Sequence, residues 1–345
     1  MSNNQRVFAW IETLPTFLEG QFPPILEPCP QATWPIERQI MSLRLDEEGF
    51  ERRLLAIDEP PTPESAQLCS CLADIGDGQG ILPFDQRDEI LQSPRIQEAG
   101  LRRWKRSFKD SSEFKTLPGR VPNIPEVETI LKRAAECHTL GHEGVGWNEV
   151  HGFLLASIFR GHHDFQQGLF NFTKCDSARV DESMRNQLDA LSERTSTLSA
   201  DHVADVSRLQ LRPIVLAIET KEPSQSFSAA EVQMGVWHTA QWAFLRCTIS
   251  MLSESTSEML CDDECEYQAE KALSELAFIP GIIVHGHRWF FVLSTRGEGK
   301  KMLLWTEYEF GDTLSIRGIY QVVAGLRVLT SWAERPLCRG FNALF

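Results

Sequence analysis

Long apolar runs are missing from this chain of 345 residues. No stretch of about 18 uncharged apolar residues occurs, so no segment reads as a membrane span. The opening residues, MSNNQRVFAWIETLP, lack the apolar core and small-residue cleavage site of a secretory signal. A disulfide framework is missing as well: the nine cysteines are odd in number and scattered. Together these absences set the expectation of an intracellular, reducing compartment, nucleus or cytoplasm. Zinc spacing is absent too. Cys69 with Cys71, and Cys261 with Cys265, have no partner pair, and His138, His142, His151 and the pair His162-His163 have no Cys or acid at ligand spacing. Those histidines read as exposed or core residues, and His285 and His287 as packing or turn polarity. No phosphate loop, dinucleotide fingerprint, GxSxG elbow or internal repeat is found.

Basic charge is also short. Lys and Arg number 34 against 48 Asp and Glu, a net charge of −14. That balance argues against a surface that coats a phosphate backbone everywhere, while leaving room for local positive charge. Residues 101–120 hold seven basic and two acidic side chains, and residues 254–275 hold one basic and eight acidic. The plain reading of both is solvated faces. The basic stretch also carries Trp104 and Phe108, which makes it a candidate for strand contact.

Hydrophobic residues are nevertheless 42% of the chain, enough for a substantial core. Residues 1–20 have helical spacing. From Phe22 to about Pro83 prolines and DGQG (77–80) interrupt every period. Residues 1–121 are therefore expected to form a helix and a proline-broken, partly disordered arm, with short helices at 37–56 and 85–99. The ordered domain is expected over 122–345. It opens with helices at 124–140, with Pro125 in the first turn, and 142–160. Strand pieces follow at 171–173 and 188–191, then a buried strand in RPIVLAIETK (212–221), a long helix over 229–252, strands at 282–295 and 301–311, and a closing helix at 316–334. The order implies an α/β (α+β) fold, a mixed sheet with helices on its faces.

The chemistry points to one place. Glu219 and Lys221 are two residues apart on a strand, so both side chains project from the same face where the chain leaves the core. Mg²⁺ takes hard oxygen ligands, and hydrolysis at such a centre needs a cation near the attacking water or the developing phosphorane charge. Glu219 supplies the first and Lys221 the second; Asp189 supplies a second carboxylate if its strand pairs with 214–219. On spacing alone, a Glu-x-Lys more often marks an ion pair at a strand end.

A set of segments resembles the restriction-endonuclease-like, PD-(D/E)XK nuclease superfamily and, more narrowly, a family of fungal proteins carrying that domain. They are GWNEVHGFLL (146–155), FNFTKC (170–175), QLDALS (187–192), RPIVLAIETK (212–221), EVQMGVWHTAQW (231–242), PGIIVHGHRWFFV (280–292) and IYQVVAGLRVLTSW (319–332), in the family's order. The resemblance implies a metal site of Mg²⁺ or Mn²⁺ held by Asp189 and Glu219, with Lys221 beside it and nucleic acid as partner. It also implies a helix acid. Glu143 falls near the angular position of Leu154 and would face the sheet; Glu149 points almost oppositely, and remains the alternative if Gly144 and Gly146 break the helix. Gln233, on one helix face with Trp237 and Gln241, occupies the place of a glutamine that points into such sites, whereas Trp237 reads as core. The rival reading is a catalytically decayed nuclease fold used for binding or scaffolding, or reused in fungal secondary-metabolite biosynthesis. The net charge and the short, polar strand around Asp189 favour that rival.

Overall fold

A computed structural model describes residues 35–46, 49–142, 144–160, 216–256, 267 and 270–344. Its elements in chain order are α1 (Ile36–Leu45), β1 (Phe50–Leu54), α2 (Pro63–Gly76), β2 (Leu82–Pro83), α3 (Arg87–Leu91), α4 (Pro94–Ala99), β3 (Phe108–Lys109) and α5 (Ser111–Lys115). There follow α6 (Ile124–Thr139), α7 (Gly144–Phe159), β4 (Ala217–Lys221), α8 (Phe227–Thr256), β5 (Ile279–His285), β6 (Arg288–Arg296), β7 (Met302–Asp312) and α9 (Ile316–Leu344). The expected strands at 171–173 and 188–191, and with them Asp189, lie outside the described residues, as do Glu143 and the helix expected at 1–20.

The architecture is the expected mixed α/β one, a five-stranded sheet ordered β1-β7-β6-β5-β4 with helices on both faces. β4 runs parallel to β5, the hairpins β5-β6 and β6-β7 are antiparallel, and β1 closes the far edge parallel to β7. Residues of β5 and β6 are buried along almost their whole length, which is why they read as unbroken apolar runs. One face of the sheet (Ile218, Ile282, Val284, Phe291) packs with α6, α7 and α9, and the other (Ala217, Ile279, Ile283, Val292) with α8.

Local chemistry explains the helix starts. Asn123 caps α6: its side chain accepts from the Glu126 amide at 3.0 Å, and the Glu126 carboxylate accepts from the Asn123 amide at 2.9 Å. Val127, Ile130, Ala134 and Cys137 then form the buried stripe.

Three expectations need correction. The helix expected over 37–56 ends at Leu45, and FERRL becomes strand β1, with Phe50 opposite Met302 and Leu54 opposite Thr306. Pairing with a strand some 250 residues away leaves no local period to read. Residues 63–76, expected to be irregular, form α2, because Thr62 and Ser65 make a reciprocal cap and Pro63 suits the first turn. The strand expected over 282–295 is two strands. Gly286 has φ +57°, which opens a two-residue hairpin in which His285 faces Arg288. A Cβ at 286 would stand 2.6 Å from Pro223 Cγ, so glycine is also required by space.

One buried cation ties residues 114–119 to α9. Arg327 donates from Nε to Pro118 O at 2.9 Å and from Nη2 to Phe114 O at 2.8 Å and Leu117 O at 3.1 Å. Burial pushes its guanidinium down to about 10, still charged at neutral pH. Arg327→Leu is expected to lose about 3 kcal/mol, since several carbonyls forfeit a charged donor at once. Urea unfolding measures this, and a loss under about 1 kcal/mol would show that water replaces the guanidinium.

Candidate active site

β4 has Ala217, Glu219 and Lys221 on the face toward α8, and Ile218 and Thr220 on the face toward α7. The strand alternation inferred from sequence therefore holds. Glu219 is 7% exposed and Lys221 6%, and Lys221 Nζ lies 2.9 Å from Glu219 Oε1. This is a buried ion pair at the C-terminal end of a strand, unlike the solvated surface pair that the spacing alone suggests. Among the described residues no strand lies along the other edge of β4.

The strand end is braced from both sides. Lys221 O accepts from the Gly286 amide at 2.8 Å, so the β5-β6 turn closes over the end of β4. His285 Nε2 and Gln225 O lie 2.8 Å apart, which fixes the loop leaving Lys221 to the same turn. On the opposite face Thr220 Oγ1 donates to Asn148 Oδ1 at 2.9 Å. Asn148 was not singled out from sequence, although it lies in the segment GWNEV. The only sequence signal for it is a polar residue on an otherwise apolar helix stripe.

Gln233 lies in the second turn of α8, two residues and thus about 200° from Glu231. Glu231, 1% exposed, takes the far side of that helix, where it accepts from Thr306 Oγ1 at 2.7 Å and pairs with Arg52 of β1. Gln233 therefore lies on the flank of α8 turned away from Thr306 of β7 and Arg52 of β1. Its Oε1 is buried and has no hydrogen-bond partner among the described residues. Trp237 joins the core beneath α8, in keeping with its reading as packing. Glu149 is exposed on α7, whose packing face meets the sheet side opposite the Glu219–Lys221 pair. The structure brings Glu219 and Lys221 together and does not bring Glu149 to them.

The donor chemistry suits a hard cation only in part. Glu219 offers carboxylate oxygen, and Gln233 an amide oxygen on α8. No cluster of three or more His, Cys, Asp or Glu residues able to hold a metal exists among the described residues. A further ligand carboxylate would have to come from outside the described residues, where the sequence resemblance puts Asp189.

Behind the β5-β6 turn lies a stack of rings. His287 meets Trp147 edge-on at 4.9 Å between centroids and His138 at 5.2 Å, while His151 meets Trp289 at 5.4 Å. Burial pushes His151 down to about 4, and burial together with the His138 charge does the same to His287. Their ordinary value is about 6.5. In this window the unfolded chain binds protons that the folded chain does not, so stability rises with pH from about 4 to 6.5 and is lost on acidification through it. Urea titrations between pH 4.5 and 7 should show that slope, and it should flatten in a His151→Gln/His287→Gln variant. An equal slope in the variant would place the effect elsewhere.

A family model described as the PD-(D/E)XK nuclease superfamily matches residues 91–186 and 181–337, well over half of the chain. The second stretch contains Asp189, Glu219, Lys221 and Gln233. No curated protein and no solved structure matches the chain.

Proposed function

We propose that this chain, which belongs to the PD-(D/E)XK nuclease superfamily, hydrolyses phosphodiester bonds of nucleic acid in a Mg²⁺- or Mn²⁺-dependent reaction. The observation that carries this reading is the buried Glu219–Lys221 pair, 2.9 Å apart at the end of β4. Burying two charges is costly, and a hydrophobic pair would stabilise the strand at least as well. A fold that keeps them holds reactive groups in a low-dielectric place.

Glu219 and Asp189 are the residues that would hold the metal. When bound, it would lower the pKa of a coordinated water and polarise the phosphoryl group. Lys221 would hold that water or the charge that develops on the phosphate, its Nζ kept in place by Glu219 and the brace from Gly286. Gln233, from α8, would orient the substrate or the water through its amide. For the helix acid we retain Glu143, since Glu149 faces solvent on the other side of the sheet.

The rival reading, a decayed site in a binding or scaffold protein, or one reused in secondary metabolism, draws on the net charge of −14 and on the incomplete donor set among the described residues. One experiment separates the two. The full chain is incubated with labelled single- and double-stranded DNA and RNA in Mg²⁺, Mn²⁺ or EDTA, and its melting temperature is read in the same buffers. Metal-dependent cleavage with a rise in Tm supports the nuclease; a ligand at 100 Kd stabilises by about 2.7 kcal/mol. No cleavage and no Mn²⁺ shift would leave the rival. The full chain is required, because β1 forms the outer strand of the sheet and α2 packs against β7 and α9.

A further inference from the structure

Four cations stand on the short 3₁₀ turn at Leu101–Trp104 and the residues that follow it. Arg102, Arg103, Lys105 and Arg106 are all exposed, and between them Trp104 is 4% exposed. The indole meets Tyr320 of α9 edge-on, 6.3 Å between centroids. Backbone bonds hold the rest: Ser107 N donates to Trp104 O at 3.1 Å, Gly80 N to Arg106 O at 2.8 Å, and Ser107 Oγ to Gly78 O at 3.0 Å. The charges therefore ride on a base pinned to the core. None of the four has an ion-pair partner among the described residues, whereas Arg87 pairs with Asp88 and Lys109 with Glu113. A merely solvated face would intersperse acids; here four of five consecutive side chains are cationic in a chain of net charge −14.

Their place in the fold follows from the strand register. Lys221 lies opposite His285, the hairpin returns at Arg288, and Arg288 lies opposite Asp312 at the end of β7. α9 starts just beyond, and its Arg317 donates to Asp77 O, next to the Gly78 that Ser107 holds. The cationic turn thus lies toward the sheet end at which β4 terminates. β7 and β4 are three strand spacings apart, about 14 Å along the sheet, and Trp104 packs in the core of α6, α7 and α9, on the sheet face opposite that of Glu219 and Lys221, so a nucleic acid touching both would pass across this end of the sheet.

We propose that Arg102, Arg103, Lys105 and Arg106 form a phosphate-backbone contact surface for the nucleic acid handled at the Glu219–Lys221 site, an inference that rests on the nuclease reading above. Guanidinium forks match phosphate oxygens, and such contacts carry register and affinity without reading sequence. The pinned base reduces the ordering cost on binding. Because the net charge of the chain opposes a polyanion, this local surface supplies much of the attraction.

The test is fluorescence anisotropy with the full chain in EDTA, using a labelled DNA duplex and a labelled single strand over a salt series. For wild type, log K falls with log salt. The variant R102Q/R103Q/K105Q/R106Q is expected to lose about 3–4 units of slope on duplex, at roughly 0.9 per phosphate contact, and about 3 on a single strand. Arg103→Gln alone is expected to lose about one unit on duplex. Cleavage of the same labelled strands by wild type in Mn²⁺ is read separately and tests the nuclease reading. An unchanged slope in the fourfold variant overturns the inference, even if wild type cleaves with metal. A reduced slope without any metal-dependent cleavage keeps the surface and removes the nuclease. Binding to phosphatidylserine vesicles with none to nucleic acid would also overturn it.

Discussion

Lys221→Ala is expected to reduce metal-dependent cleavage by at least 10²–10³-fold, the loss typical when one preorganised donor to a developing oxyanion is removed. Its ammonium lies 2.9 Å from Glu219 Oε1. Wild type and variant should be compared under single-turnover conditions with saturating Mn²⁺, so that the rate reports the chemical step rather than binding. Circular dichroism at the assay temperature establishes that the variant is folded. A folded Lys221→Ala protein that cleaves at the wild-type rate would remove Lys221 from the site. Gln233→Ala is expected to lose less, because an amide that orients a water contributes a neutral hydrogen bond.

The largest expected stability effect lies at the same pair. Glu219→Leu alone leaves the buried Lys221 ammonium without the carboxylate 2.9 Å away and should cost about 3–5 kcal/mol in EDTA. For a domain of this size that is a fall in Tm on the order of 10 °C. The double variant Glu219→Leu/Lys221→Met should recover most of that loss, since two apolar side chains fill the volume with no charge to desolvate. Activity should not recover with it. A near-neutral Glu219→Leu variant would mean that water reaches the pair, which exposures of 7% and 6% argue against. The contrast between rescued stability and unrescued activity separates a catalytic pair from a structural one.

Much of this site was legible before any coordinates. The Glu-x-Lys spacing puts both side chains on one face, because strand side chains alternate, and the apolar run before it predicts burial. Thr62 and Asn123 mark helix starts by their own side-chain chemistry, although the helix at 124–140 is legible from its apolar period and Pro125 and the one at 63–76 is not.

The remainder depended on partners distant in sequence. FERRL has no apolar alternation of its own; it is a strand because β7 offers a parallel edge and Phe50 finds the core beneath α8. Gly286 ends one strand and begins another because Pro223 crowds it and its φ is positive, neither visible in a run that reads IIVHGHRWFFV. Asn148 became part of the site only when α7 came to lie across the sheet face carrying Thr220. Periodicity reports which face of an element is buried, and so the sequence alone determined the mixed α/β class, the strand that ends in Glu219-Thr220-Lys221 and the shared face of Glu219 and Lys221. Which elements share an edge, and whether a charge pair stands in water or in the core, only tertiary packing decided, since both depend on surfaces contributed by segments that are not neighbours in the chain.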